Sequence, residues 1–169
     1  AWKSALASAF VACKGDLGFK DIIKNGLLDG MRVAYIAATQ GRFGGVMAAN
    51  SALDNLGFER LLLNINSPMD EWQEKIESVE PNVIIGYPTG IKLLCDMIKE
   101  KDIDLDVIRI ITGGEPLPDQ LQDYIESVLG SQVYNVYAAS ESIPIGLGKG
   151  EYDGVYIFDD VNYVEFEKD

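Results

Sequence analysis

The sequence predicts an α/β fold, a three-layer Rossmann/flavodoxin-like parallel sheet flanked by helices, with an antiparallel hairpin at its C-terminal end. Three observations predict it. From residue 32 onward, short apolar runs alternate with amphipathic stretches. The runs are continuously apolar rather than alternating, as strands buried on both faces must be. And 169 residues with 47% hydrophobic content suffice for one domain with a real core, not for two.

The elements follow in order. Trp2, Leu6, Phe10 and Cys13 recur at helical spacing over residues 2–14, and Phe19, Ile22 and Ile23 form a second short apolar helix after the turn at Gly15-Asp16; both read as covering helices. Strands are expected at residues 32–38, 60–65, 82–86, 107–112 and 132–138. Between them, apolar positions repeat every three or four residues: Val46, Ala49, Leu53 and Leu56, then Trp72, Ile76 and Val79, then Ile91, Leu94, Cys95 and Ile98, then Leu121, Tyr124, Ile125 and Val128. Pro118 suits the first turn of the last of these helices and Gly130 the position just past its end. In the tail, residues 155–158 and 161–166 flank Asp159-Asp160, and the alternation around Tyr163 predicts a half-exposed antiparallel hairpin that extends the sheet edge or begins another subdomain. The chain thus divides into an α/β subdomain, residues 1–150, and a hairpin extension, residues 151–169.

Composition narrows the function. A net charge of -13 disfavours attraction to nucleic-acid phosphate and to anionic membrane surfaces, both of which need excess Lys and Arg, so neither is an expected partner. No apolar run approaches the roughly 20 residues that span a bilayer, and residue 1 opens no basic, cleavable leader, so the expected location is cytoplasmic. Cys13 and Cys95 both fall on apolar helix faces, where a reduced cysteine packs as a small hydrophobe. Histidine is absent, which excludes Ser-His and Cys-His mechanisms and most zinc sites. Chemistry is left to carboxylates, backbone dipoles, a ligand-borne metal or parts of a larger protein.

In open parallel sheets, ligands bind beyond the carboxyl ends of the strands, where strand order reverses. If the order is 2-1-3-4-5, the crevice opens between the first and third strands, lined by Gln40, Arg42, Phe43 and Tyr87. Gly41-Arg42-Phe43-Gly44-Gly45 follows a strand and opens a helix, where backbone N–H groups can cradle an anion; it also reads as a tight strand-to-helix turn, and it matches neither the dinucleotide fingerprint nor the phosphate loop. In Gly86-Tyr87-Pro88-Thr89, Pro88 forces Tyr87 into an extended conformation and Thr89 is expected to cap a helix beginning near Gly90. Gly113-Gly114-Glu115 lets a flat group approach the backbone, or is a strand-exit turn with Glu115 solvated near a helix N-terminus, favourable by about 0.3 to 1 kcal/mol.

The order Gly113-Gly114-Glu115-Pro116-Leu117, then a helix ending Ile125-Glu126 and Leu129-Gly130, then Tyr137-Ala138-Ala139-Ser140-Glu141, resembles the nucleotide site of the adenylate-forming superfamily, most closely its phenylacetate-CoA ligase-like branch. The resemblance implies that Gly113, Gly114, Glu115 and Pro116 lie against adenine, that Tyr137 stacks on it, and that Asn135, Ala138 and Ala139 complete the nucleotide site. It implies a catalytic pair, the Ser140 hydroxyl on the α-phosphate and Glu141 on magnesium. A cation fits there, since two like charges about 4 Å apart repel by about 4 kcal/mol at an effective dielectric near 20, and magnesium takes oxygen ligands. Tyr87, Pro88 and Thr89, with Arg42 and Phe43, then face the carboxylic substrate. Ala138 stands where the family usually has glycine, so either the turn differs or the position tolerates a Cβ.

The resemblance implies ATP, Mg2+ and coenzyme A as cofactors and substrates of a full-length enzyme, a small-molecule carboxylic acid as its other substrate, and allows a homodimer. The family's upstream phosphate loop, ribose-binding aspartate and catalytic lysine do not occur in these 169 residues, so the expectation is a central fragment of an acid-activating ligase, inactive alone. Two alternatives stay open: transfer of the acyl group to a protein thiol or amine, and a non-catalytic Rossmann-like binding or assembly module whose glycine turns are only turns.

Overall fold

The computed structural model describes residues 30, 32–38, 59–139, 145–149, 154–159, 162–165 and 167. Within them the chain runs β1 (Arg32–Ala37), β2 (Glu59–Asn64), α1 (Met69–Val79), β3 (Val83–Gly86), α2 (Pro88–Lys101), β4 (Arg109–Gly113), α3 (Asp119–Leu129), β5 (Val133–Tyr137), β6 (Gly146–Lys149) and β7 (Tyr156–Ile157). The sheet order is β2-β1-β3-β4-β5-β6-β7. β1 to β5 are parallel, and β6 and β7 add on antiparallel at the β5 edge. The sheet is therefore mostly parallel with an antiparallel C-terminal edge, and its first five strands take the 2-1-3-4-5 order.

The crossovers from β2 to β3, β3 to β4 and β4 to β5 all run the same way across the sheet. Right-handed connection then puts α1, α2 and α3 on one face. There Trp72 and Ile76 of α1, Ile91, Leu94 and Cys95 of α2 and Ile125 of α3 join Ala34, Ile36, Leu63, Ile84, Ile110 and Val133 of the strands in one continuous core. Each fully buried Ile or Leu contributes about 1.5 to 3 kcal/mol over leaving it in water. Opposite this face Val33, Ala37, Val83 and Tyr134 are also buried, which is why the strands read as unbroken apolar runs. The expected helices over residues 2–14, around Phe19 and from Val46 to Leu56, and Cys13 with them, lie outside the described residues.

Polar groups fix the ends. The Trp72 indole N–H donates to the Asn64 carbonyl at 3.0 Å, tying α1 to the exit of β2. Asn82, buried at the entry of β3, accepts from the Arg32 N–H at 3.0 Å and donates to the Gly30 carbonyl at 3.1 Å. All three helices end on a left-handed residue, Glu80, Asp102 and Gly130, whose N–H returns to a carbonyl four residues earlier.

Three expectations change. α2 begins at Pro88, with Tyr87 at the cap and no side-chain cap of its own, so Thr89 does not cap it; the fixed φ of proline already suits the first helical position. Pro118 is the cap of α3 rather than part of its first turn, because its ψ of 147° is extended. In the tail, β7 pairs with β6 rather than with residues 161–166, of which 162–165 are described and form no strand. The free edge of β5 offers a ladder of unpaired backbone groups, and β6 takes it.

Candidate functional site

The carboxyl ends of β3, β4 and β5 come out at one edge in step, with Gly86 paired to Thr112 and Thr112 to Asn135. At Gly86 no side chain fits, since a Cβ would lie 2.4 Å from the Ile36 carbonyl oxygen. Thr112 is buried, and its hydroxyl donates to the Asn135 side-chain oxygen at 3.0 Å, a bond that uses the amide oxygen of Asn135 and not its N–H donors. Beyond Thr112 the chain turns at Gly114, whose φ of 79° favours glycine and whose missing Cβ makes room for the Tyr87 ring, 2.8 Å from where that atom would be.

Glu115 follows. Its Oε2 accepts two hydrogen bonds from Thr89, from the hydroxyl at 2.7 Å and from the backbone N–H at 3.2 Å. The carboxylate thereby occupies the amino end of α2, where orphan N–H groups and the helix dipole favour negative charge. Tyr87 also bonds through its backbone N–H to the Ile36 carbonyl at 3.3 Å, and it lies close enough to Tyr35 to add to the burial that pushes the Tyr35 phenol above its ordinary pKa.

Between the exits of β4 and β5 a cleft of about 360 Å³ is lined by Gly114, Glu115, Pro116, Asn135, Val136, Tyr137, Ala138 and Val155. The Tyr137 ring stands at its rim with 55% of its surface exposed. Both alanines after it avoid positive φ, for among the described residues the non-glycine residues there are Glu80 and Asp102. An opening of mixed apolar and polar lining, near the low end of the roughly 300 to 1,000 Å³ range of ligand pockets, has room for a small ligand.

Of the residues singled out by sequence, Gly114, Glu115, Pro116, Asn135, Tyr137 and Ala138 come together as cleft walls. Gly113 lies one residue inside, its Cα side 3.0 Å from the Val136 carbonyl once a Cβ is imagined there. Ala139 follows Ala138 out of the sheet and Tyr87, Pro88 and Thr89 stand at the neighbouring turn, none of the four lining the cleft. Gln40, Arg42, Phe43, Ser140 and Glu141 lie outside the described residues. Sequence reasoning missed Thr112, Val136 and Val155. Thr112 had a signal, a hydroxyl inside an apolar run; Val155 had none, since it reaches the cleft through the β6–β7 pairing, where the missing side chain of Gly146 leaves room for the Val155 side chain and the Tyr156 carbonyl.

Among the described residues no group of His, Cys, Asp and Glu could hold a metal ion, and no helix is long and apolar enough to cross a membrane.

No family model matches the sequence. It is 25% identical to the phenylacetate-coenzyme A ligase of Pseudomonas putida over 170 residues, covering 97% of this chain and 36% of that protein. The fold matches 2-hydroxyisobutyryl-CoA ligase, solved with 2-HIB-AMP and CoA, with a TM-score of 0.64 at 18% identity over 78% of this chain and 31% of that one. The chain is thus similar in sequence to a phenylacetate-coenzyme A ligase and in fold to 2-hydroxyisobutyryl-CoA ligase. Coronafacic acid ligase from Pectobacterium brasiliense shares the fold too, with a TM-score of 0.57 at 15% identity, covering 73% of this chain and 26% of that one. The chain therefore spans between about a quarter and about a third of the length of these proteins.

Proposed function

We propose that this chain is the nucleotide-facing α/β part of an enzyme that activates a carboxylic acid with ATP and then passes the acyl group to coenzyme A. In the first step a carboxylate oxygen bonds to the α-phosphorus and pyrophosphate leaves with the electron pair of the broken P–O bond, giving an acyl-adenylate. In the second, a thiolate attacks the acyl carbon and AMP departs. The observation that carries the reading is the cleft between the exits of β4 and β5, lined by Gly114, Glu115, Pro116, Asn135, Tyr137 and Ala138.

Each wall has work suited to a purine. Gly114 offers its peptide groups at the cleft wall, backed by the Tyr87 ring, the Asn135 amide offers hydrogen-bond donors to ring nitrogens, and the exposed Tyr137 side chain offers a flat face for stacking. Gly113 and Ala139 keep the two turns slim. Tyr87, Pro88 and Thr89, with Arg42 and Phe43, are proposed for the acid side, and Ser140 for the α-phosphate. Magnesium, held by Glu141 with the nucleotide's own phosphate oxygens, would neutralise charge on the phosphates. A cytoplasmic setting goes with this reading. Similarity to the Pseudomonas putida ligase over nearly the whole chain supports it, as does a fold shared with a ligase solved with 2-HIB-AMP and CoA.

The test is titration of the 169-residue chain with AMP and with Mg-ATP, followed by tyrosine emission. Binding is expected with a Kd of about 1 mM, equivalent to about -4 kcal/mol. Tyr137→Ala should weaken it about tenfold, because stacking of a base on an aromatic ring is worth roughly 1 to 3 kcal/mol. No binding, or equal binding by Tyr137→Ala, overturns the reading. The isolated chain is expected to release no pyrophosphate from ATP with phenylacetate, since charge stabilisation at phosphorus needs groups not found in it.

A further inference from the structure

We propose that Glu115 is a positioning residue that locks the acid-side turn of the site to its nucleotide-side turn, so that one braced unit, rather than two independent loops, sets the distance between the two substrates. The proposal rests on the functional reading above. Two adjacent contacts carry it. Glu115 Oε2 takes both the hydroxyl proton and the backbone N–H of Thr89, at 2.7 and 3.2 Å, across 26 residues of sequence. Next to it the Tyr87 ring fills the space left by the absent Cβ of Gly114.

The geometry separates positioning from direct contact. Gly114 and Glu115 line the cleft; Tyr87 and Thr89 do not. Whatever Thr89 does to a ligand in the cleft, it does through Glu115. α2 has no side-chain cap of its own, so the carboxylate delivered from the exit of β4 fills that role. A single acceptor oxygen shared by a hydroxyl and an N–H fixes the Glu115 side chain in two directions, and with it the adjoining turn. With its proton committed to Glu115, the Thr89 hydroxyl has only its lone pairs left for a ligand.

The experiment is AMP titration of the whole chain and of Thr89→Val, Glu115→Ala and the double variant, each first shown folded by circular dichroism, with the Gly114 amide followed by NMR. Thr89→Val, which alters no cleft-lining residue, should weaken AMP binding about fivefold, the scale of losing one typical hydrogen bond. It should also shift the Gly114 amide resonance before any AMP is added. Glu115→Ala should weaken binding at least as much, and adding Thr89→Val to it should change nothing further, the mark of two residues acting through one contact. Thr89→Ser restores the hydroxyl and should rescue the affinity; Thr89→Ala serves if Thr89→Val does not fold. If Thr89→Val binds AMP as the unaltered chain does, the positioning role is overturned while the nucleotide reading stands. If the unaltered chain binds no AMP, the nucleotide reading itself fails and the positioning role falls with it.

Discussion

At the exit of β4 the chain turns under several constraints at once: a left-handed Gly114, a tyrosine ring against it, and a carboxylate bonded to the start of α2. One strand away, at the exit of β5, it turns through Tyr137, Ala138 and Ala139 with no positive φ and with the Tyr137 ring more than half exposed. The first corner is a fixed wall, braced from the sheet and from α2. The second presents an apolar face to solvent, the kind of surface that a ligand rather than the protein covers. A binding cleft between them needs both, one side to set position and one to make contact.

The largest test of this contrast lies beneath the braced corner. Gly86→Ala would put a methyl group 2.4 Å from the Ile36 carbonyl, an atom of the neighbouring strand that cannot swing aside. We expect a loss of about 3 kcal/mol, at the upper end for overpacking a core, measured by urea unfolding. Gly114→Ala should follow, at about 2 kcal/mol, from a left-handed conformation that alanine resists and a Tyr87 ring that must move. Losses below about 0.5 kcal/mol, the scale of an ordinary surface substitution, would mean that the corner is not braced as described.

Much of this was legible in the sequence, for physical reasons. The five parallel strands announce themselves because both faces are buried, and the observed β1 to β5 lie within two residues of the expected runs at every end. The helices were legible from their period, Trp72 and Ile76, or Ile91, Leu94, Cys95 and Ile98, being buried as spaced. β6 was not, for Gly146-Leu147-Gly148-Lys149 carries little intrinsic strand preference and pairs because the edge of β5 is open to it. In the site, Gly114 could be singled out as a turn residue and Tyr137 through the family resemblance, but the bond from Thr89 to Glu115 could not, since it joins residues that only the β3–β4 pairing brings together. A side chain that caps another element's helix leaves no local pattern to read.

A smaller effect tests the brace from the far side of α2. Asp96 accepts from Lys92 at 2.7 Å and from the Tyr124 hydroxyl of α3 at 2.7 Å, and these bonds, Lys92 first, hold its carboxyl below the ordinary aspartate range. Tyr124 is pushed up to about 12, chiefly by the same bond to Asp96. A depressed carboxyl contributes stability above its unfolded pKa, and that contribution disappears as pH falls through the folded value. A raised phenol contributes below about pH 10 and loses its share as pH rises toward about 12. Asp96→Asn should therefore cost about 0.5 kcal/mol near neutral pH, the scale of an exposed pair, with the difference from the unaltered chain shrinking as pH falls through the depressed folded value. The check is site-resolved thiol labelling at Cys95, which is buried on α2 and pushed up to about 12 by that burial, so that it reacts only when α2 opens.

The smallest expected effect belongs to the open corner and decides what its alanine means. Glycine at position 138 would help if the turn needed a positive φ, by relieving strain of roughly 1 kcal/mol or more. The structure shows no such φ there, so Ala138→Gly should do the opposite, lowering stability by about 0.5 kcal/mol through the extra freedom given to the unfolded chain. Thermal unfolding resolves the sign. A rise in Tm would put strain at the exit of β5 as well, and the contrast between a braced wall and a relaxed one would be lost; a small fall means that this chain makes its second turn with an ordinary backbone, where a Cβ is harmless.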